Sequence, residues 1–295
     1  MTDIKIIRTV KELRSWKSTT SGSIGFVPTM GALHKGHLSL DNPYTVVSIF
    51  VNPSQFAPGE DLDSYPRTFD QDYSILSNLK IQNKTVSVIF APTISEMYPS
   101  GIDLDLTKQK GAFVTVLGVS EQLEGKTRPN FFRGVSTVVL KLFNAVQPQF
   151  AYFGQKDIQQ TVVLKRMVKD LLLPLEIIVM PIVREDSGLA LSSRNSYLSE
   201  SLRSRSSIIY ENLQECEKIY QESHNELTKD EIVSRFIDLI NNEPDFQIDY
   251  ISLANLETLE ELSTIKPGQS AVLSTAVYVT ENNRTIRLLD NIILN

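Results

Sequence analysis

"FVPTMGALHKGHLSL", Phe26 to Leu40, is the stretch from which the rest of this 295-residue chain is read. An apolar run reaches Pro28. A turn follows that carries two glycines, Gly31 and Gly36, and two of the chain's three histidines, His34 and His37, spaced H-x-G-H. Glycine lets a backbone approach a bulky anion closely. A helix starting after His37 would aim its N-terminal N–H groups at the same place. Imidazoles there can donate to phosphate oxygens, and such bonds strengthen as charge builds in a transition state. The pattern therefore predicts a strand feeding a turn that holds a nucleotide's phosphates. Two other readings stay open on the local pattern. The histidines could cap a helix or be partly buried structural groups. Zinc is the other, but it needs further ligands and no nearby cysteine supplies one. The third histidine, His224 in "QESHNEL", reads as a surface residue.

On either side of this turn the chain alternates strand and helix. "TVKELRSWKS" reads as a short helix, and "SIGFVPTM" as a strand from Ile24 into a turn set by Pro28. "YTVVSIFVNP" is a strand from Tyr44 to Val51, and "QDYSILSNLK" has helical spacing. "TVSVIFAP" is a strand, "GVSTVVLKLFNAV" a helix, and "FAYFGQKD" a strand that breaks at Gly154. "IQQTVVLKRMVKDLLL" and "LEIIVMPIV" add a last helix and strand. Strands without alternation, separated by helices, indicate a parallel sheet covered on both faces. The expected fold class is α/β, a Rossmann-like doubly wound parallel sheet forming a nucleotide-binding domain over residues 1–180. A smaller α+β domain over residues 181–295 follows. It opens with the long polar helical region "SLRSRSSIIYENLQECEKIYQESHN" and closes with "DYISLANLETLEEL", "QSAVLSTAVYVT" and "TIRLLDNIIL". One segment does not fit. A parallel crossover takes about a dozen residues or more, yet only Leu38 to Pro43 separate the H-x-G-H turn from the next strand. Either the usual helix is lost, or a stretch of chain is absent from this sequence.

Bulk composition narrows the function. Hydrophobic residues make up 41%, enough for a substantial core, and the net charge is −6. That balance argues against nucleic-acid or membrane-surface partners. The single cysteine, Cys216, excludes an internal disulfide or a multi-cysteine metal site. Set in the polar helical region, it reads as a small core-facing residue. No run is apolar and long enough to span a bilayer, and "MTDIKIIRTVKELRSW" lacks a clean signal-peptide pattern. The expectation is a cytoplasmic protein.

Four polar clusters fall at strand ends, where open α/β sheets bind ligands: "PTMGALHKGH", "NPSQF", "FGQKDIQQ" and "VREDSGLALSSRN". In the third, Lys156 can neutralise a phosphate and Asp157 can accept from ribose hydroxyls. A solvated turn with a surface ion pair is the plainer alternative. In the fourth, Ser192, Ser193 and Arg194 suit a mobile phosphate clamp, with a helix N-cap as the alternative. Gln55 and Gln160 could grip the hydroxyls and carboxylate of a small polar substrate.

Taken together, "PTMGALHKGH", "VVSIFVNPSQF", "DLDSYPRT", "RPNFFRGVSTVV", "YFGQKDIQQ" and "GLALSSRN" resemble the pantothenate synthetase (pantoate–β-alanine ligase) family over nearly the whole chain. H-x-G-H alone is shared by the wider nucleotidylyltransferase superfamily and by class I aminoacyl-tRNA synthetases. The resemblance implies ATP-dependent condensation of pantoate with β-alanine, releasing AMP and pyrophosphate. By it, the ATP-binding turn falls on Met30, Gly31, Ala32, Leu33, His34, Lys35, Gly36 and His37, with His37 as proton donor. Further ATP contacts fall on Gly154, Gln155, Lys156, Asp157, Val183, Leu191, Ser192, Ser193 and Arg194. Gln55 and Gln160 match pantoate contacts. The implied catalytic set is His37, His34 and Lys156. Mg²⁺ is implied as a companion of ATP, held mostly by ATP and water, with Asp72 a weak candidate for an outer contact and no dedicated protein metal site. The smaller domain and the Ser192–Arg194 loop are the implied lid, and a homodimer is the implied assembly. Many members have glutamate at the position of Gln155 and histidine at that of Phe131. Two rivals remain: a nucleotidylyltransferase whose final product carries the nucleotidyl group, and a nucleotide-binding protein without turnover.

Overall fold

Short runs of Val, Ile and Phe build the strands of the first unit. The computed structural model describes residues 4–31, 42–80 and 84–295. It divides into one unit of Met1–Gly154 with Val163–Met180, and a second of Gln155–Val162 with Pro181–Asn295. In chain order the first part runs β1 (Lys5–Ile7), α1 (Val10–Ser18), β2 (Ile24–Thr29), β3 (Tyr44–Ile49), α2 (Phe69–Asn78), β4 (Val88–Phe90), α3 (Ile94–Met97) and α4 (Glu124–Thr127). It continues with α5 (Phe131–Val146), β5 (Phe150–Gly154), α6 (Ile158–Asp170) and β6 (Glu176–Met180). The sheet order is β1-β4-β3-β2-β5-β6, and every neighbouring pair is parallel.

Both faces of this sheet are covered, as the unalternating strands require. Successive side chains of β2 point to opposite faces. Phe26 meets Phe143 of α5 edge-on at 6.3 Å. Val27 packs in the other layer with Val47, Ile89 and Leu76 of α2. From β2 the chain winds outward through β3 and β4, then returns to lay β5 and β6 on the opposite side. The winding therefore reverses between β2 and β5. Ligands of such sheets bind beyond the carboxyl ends of the strands at that reversal, and the chain leaves these two strands at Met30 and Gln155.

The structure corrects several expectations. Pro28 does not set the turn: it lies inside β2, paired with Ser48. The ladder from β2 to β5 covers only Gly25 and Phe26, so Pro28 sits where that side of β2 is already an edge, and its missing N–H costs little. Across the short crossover, β2 and β3 pair as neighbours from Ile24–Tyr44 to Thr29–Ile49, which leaves open whether the usual helix is lost or a stretch of chain is absent. Strand β4 keeps only three of the residues in "TVSVIFAP", and β1 had no alternation from which to read it.

The second unit adds α7 (Glu200–Arg205), α8 (Ile208–Glu222), β7 (Leu227–Thr228), α9 (Lys229–Asn241), β8 (Phe246–Ala254), β9 (Thr264–Ile265), β10 (Ala271–Glu281) and β11 (Arg284–Leu294). The polar region expected as one helix is two, with Ser206 as the C-cap of α7 and Ser207 as the N-cap of α8. Helix α9 starts on a capping box of Thr228 and Glu231. The antiparallel sheet β11-β10-β8 packs Leu253, Leu273 and Leu288 against Leu213 of α8 and Phe236 of α9. The β10–β11 hairpin turns on Asn282 and Asn283, at φ 50° and 63°, the left-handed pair a two-residue hairpin prefers. Cys216 is buried in this core and His224 is exposed. Among the described residues no helix is long and apolar enough to cross a membrane.

Candidate active site

In the first unit the chain leaves β3 at Phe50 and closes a 3-10 turn at Pro53–Gln55, with the fixed φ of proline in its first turn. Asn52 organises this turn. Its Nδ2 donates to Gln55 Oε1 at 3.0 Å and to Gly134 O at 3.2 Å. Its Oδ1 accepts from Ser54 Oγ at 3.1 Å and Tyr98 Oη at 2.6 Å. Burial pushes the Tyr98 phenol up to about 12 against the pull of these partners, so it stays a neutral donor. Gln55 Nε2 in turn donates to Met30 Sδ at 3.1 Å. The structure thus brings together Gln55 and the first residue of the predicted nucleotide turn.

Two further residues fix the main chain here. A Cβ on Gly134 of α5 would lie 2.2 Å from Ser54 O and 2.7 Å from Gln55 Cα, so only glycine lets α5 lie this close to the turn. Arg128 Nη2 donates to Gln55 O at 3.1 Å, while the same guanidinium grips Glu60 at 2.9 and 2.5 Å. Its Cζ lies 4.1 Å from the Phe131 ring centroid. Phe131 therefore works here as an aromatic face for the cation that holds Gln55. Gly31 has φ 87°. A Cβ there would meet Asp72 Oδ2 at 3.0 Å, so backbone conformation and space both demand glycine. Asp72 is buried and accepts from Thr68 Oγ1 at 3.2 Å. Ala32, Leu33, His34, Lys35, Gly36 and His37 lie outside the described residues.

The second unit contains the other two loops. Gln155–Asp157 form a 3-10 turn ahead of α6. Lys156 Nζ lies 3.4 Å from Asp157 Oδ1, a pairing at the surface that stabilises little. Gln160 is half-buried on the first turn of α6. The 183–194 segment folds back on itself. Leu191 N donates to Val183 O at 2.9 Å, Arg184 bridges to Ala190, and Gly188 turns the loop at φ 97°. Arg184 is held by both oxygens of Asp290, at 2.6 and 2.8 Å, and lies over the Tyr210 ring at 3.4 Å. Asn195 Nδ2 donates to Glu185 Oε1 at 2.9 Å and Ala190 O at 3.0 Å. Ser192 is the N-cap of the 3-10 turn Ser193–Tyr197, its Oγ accepting from Arg194 N at 3.3 Å. The capping alternative is thus what this hydroxyl does, and it brings Ser193 and Arg194 into the first turn.

A family model described as Pantoate-beta-alanine ligase matches residues 5–293. The chain belongs to the pantoate-beta-alanine ligase family. Among relatives of this family, "Pantoate--beta-alanine ligase" of Saccharomyces cerevisiae is 49% identical over 314 residues, covering 99% of this chain and 100% of that protein. That alignment is longer than the 295-residue chain, so the yeast protein carries residues with no counterpart here. A "Pantothenate synthetase" of Acetivibrio thermocellus is 43% identical over 300 residues, covering 99% of both chains. Among solved structures, pantothenate synthetase from Thermus thermophilus matches with TM-score 0.84 and 38% identity, covering 98% of this chain and 99% of that one. Pantoate-beta-alanine ligase from Francisella tularensis, complexed with beta-gamma ATP and beta-alanine, matches with TM-score 0.74 and 33% identity over 98% and 97%.

Sequence reading had not singled out Asn52, Arg128, Gly134, Asp290 or Asn291. All five lie within quoted segments, but nothing in a linear string shows that α5 and Arg128 close on the Gln55 turn. The last pair left a usable signal. In "RLLDNIIL" two polar residues interrupt an apolar strand, and a buried polar pair must find partners.

Proposed function

We propose that this protein is a ligase that condenses (R)-pantoate with β-alanine in an ATP-dependent reaction, giving pantothenate, AMP and pyrophosphate through a pantoyl adenylate. One observation carries the reading: the family match over residues 5–293. The Gln55 turn, braced by Asn52, Arg128 and Gly134, is its local support.

In the first step a pantoate carboxylate oxygen attacks the α-phosphorus of ATP in line, and pyrophosphate leaves with the bonding electrons. The chain's work is positioning and charge stabilisation. Gln55 and Gln160 hold pantoate. Met30 to His37, Gly154 to Asp157, Val183 and Leu191 to Arg194 are assigned to ATP. His37, His34 and Lys156 offset the charge that builds on the phosphates, with His37 donating to the leaving oxygen. In the second step the neutral amine of β-alanine attacks the acyl carbon. The C–N bond forms, the acyl–phosphate C–O bond breaks, AMP takes the electron pair, and the ammonium proton passes to solvent. No enzyme nucleophile is required. The mixed anhydride hydrolyses in water, so the second unit is assigned as a lid.

Mg²⁺ belongs to the same proposal. Such an ion is usually bound by phosphate oxygens, waters and one or two carboxylates. Asp157, with an exposed carboxylate, fits that modest requirement, whereas buried Asp72 suits only an outer contact. When bound, the ion would screen the phosphate charge. Cytoplasmic location and a homodimer complete the reading, and sedimentation of the purified chain measures the second.

ATP–pyrophosphate exchange is the test. It should depend on pantoate and need no β-alanine. Exchange without pantoate, or none with it, would overturn the assignment.

A further inference from the structure

We infer that Asn291 of β11 is a positioning residue for the Lys156 loop, one of the segments assigned to ATP. This rests on the reading given under Proposed function.

Neighbouring residues of a strand face opposite ways. Asp290 shares the face of Leu288 and Ile292, which pack in the helix-covered core. There it holds Arg184 bidentately, and Arg184 Nη1 also donates to Gly188 O at 3.1 Å. Asn291 points the other way. Its Nδ2 donates to Gln155 O at 2.9 Å and Lys156 O at 3.0 Å, and its Oδ1 accepts from Gln155 Nε2 at 3.1 Å. All three bonds of this amide go to the turn that carries Lys156. Asp290 is 4% exposed and Asn291 1%, so water does not compete for their bonds. The two are also tied to each other, since Asn291 N donates to Asp290 Oδ1 at 2.7 Å.

The geometry gives Asn291 more than a packing role. Apolar side chains fill the neighbouring β11 positions Leu288, Leu289, Ile292 and Ile293, and a leucine at 291 would keep the branching and heavy-atom count of asparagine while removing its polar atoms. An amide there specifies where two consecutive carbonyls sit, and so the direction in which the Lys156 side chain leaves the turn. Misplacing a group that offsets transition-state charge by about 1 Å can cost roughly 10²-fold.

The test uses the full chain as wild type, Asn291→Leu, Lys156→Ala and the double variant. It reads pantoate-dependent ATP–pyrophosphate exchange and backbone hydrogen exchange. In Asn291→Leu, amides of the 154–160 segment should exchange about tenfold faster, while α8 and α9 keep their protection. The kcat/KM for ATP in adenylation should fall about 10–100-fold. In the Lys156→Ala background the same change should cost clearly less than it does in wild type, because the charged group it positions is gone and only the weaker contacts of Gly154, Gln155 and Asp157 are left to displace. If Asn291→Leu fails to fold, Asn291→Asp keeps the size but sets an acceptor against two carbonyls, and should loosen the same segment. Unchanged protection over 154–160, or a full further loss on top of Lys156→Ala, overturns the inference. A wild type without pantoate-dependent exchange sinks the ligase reading instead, and the protection measurement still decides whether Asn291 holds the turn.

Discussion

Removing the imidazole of His37 should lower adenylate formation about 10²–10³-fold, the scale for losing one transition-state donor. Single-turnover measurement of His37→Ala checks this, and an unchanged rate removes His37 from the mechanism. Lys156→Ala should lose a similar factor. Because its ion pair with Asp157 is at the surface, little stability should go with it, so a normal melting temperature with a collapsed rate is the expected signature. Gln155 is a subtler case. Its Nε2 donates to Asn291 Oδ1, a bond a carboxylate cannot make. Gln155→Glu would set two acceptors against each other unless the Asn291 amide turned over and released the carbonyls of residues 155 and 156. In this chain the amide at 155 and the amide at 291 thus form a matched pair.

Between elements, the tightest approach in the candidate site is α5 on the Pro53–Gln55 turn. Gly134→Ala must push against Ser54 O and Gln55 Cα, backbone atoms that cannot swing aside. Overpacking of this kind costs about 1–3 kcal/mol, and here the strain falls on the residue assigned to pantoate. We expect a lower melting temperature together with a higher KM for pantoate. A variant with wild-type KM would show that the turn gives way without moving Gln55. Elements that carry a strong local pattern were legible beforehand. The stripe of α5, the apolar run of β3 and the break of β5 at Gly154 all appear at the expected places. Elements without one were not. Strand β1 is three residues long, and the α7–α8 break falls at Ser206 and Ser207, which keep right-handed backbone angles and include no helix-breaking residue.

Two buried protons tie overall stability to pH. Burial raises Cys216 from 9.0 to about 12 and Tyr98 from 10.0 to about 12. Each is an acid kept neutral by the fold. Between its unfolded and folded values the unfolded chain binds fewer protons, so stability falls as pH rises. The contribution is fully present below pH 9, fades first through Cys216 in the second unit and then through Tyr98 in the first, and is gone above about pH 12. The slope is at most about 1.4 kcal/mol per pH unit for each group. Urea unfolding of wild type and Cys216→Ala between about pH 8 and about pH 11 isolates the Cys216 share from that of Lys141, which burial lowers and which acts in the opposite direction; identical pH profiles for the two would contradict the burial. In the folded protein at neutral pH, Cys216 should also resist thiol reagents.

Residue order was enough to read the succession of apolar strands and helices, the α/β class with a second α+β part, and, through six segments of linear pattern, the family. These are local signals, written in residue spacing and composition, and they survive without coordinates. Only the folded chain showed which distant partners hold the candidate loops within each unit: Arg128 reaching from beside Phe131 to the carbonyl of Gln55 in the first, and Asn291 turning its amide to residues 155 and 156 in the second. Those partners lie tens to more than a hundred residues apart in the chain. A buried amide or guanidinium must be satisfied by some partner, but only the folding of one element onto another determines which.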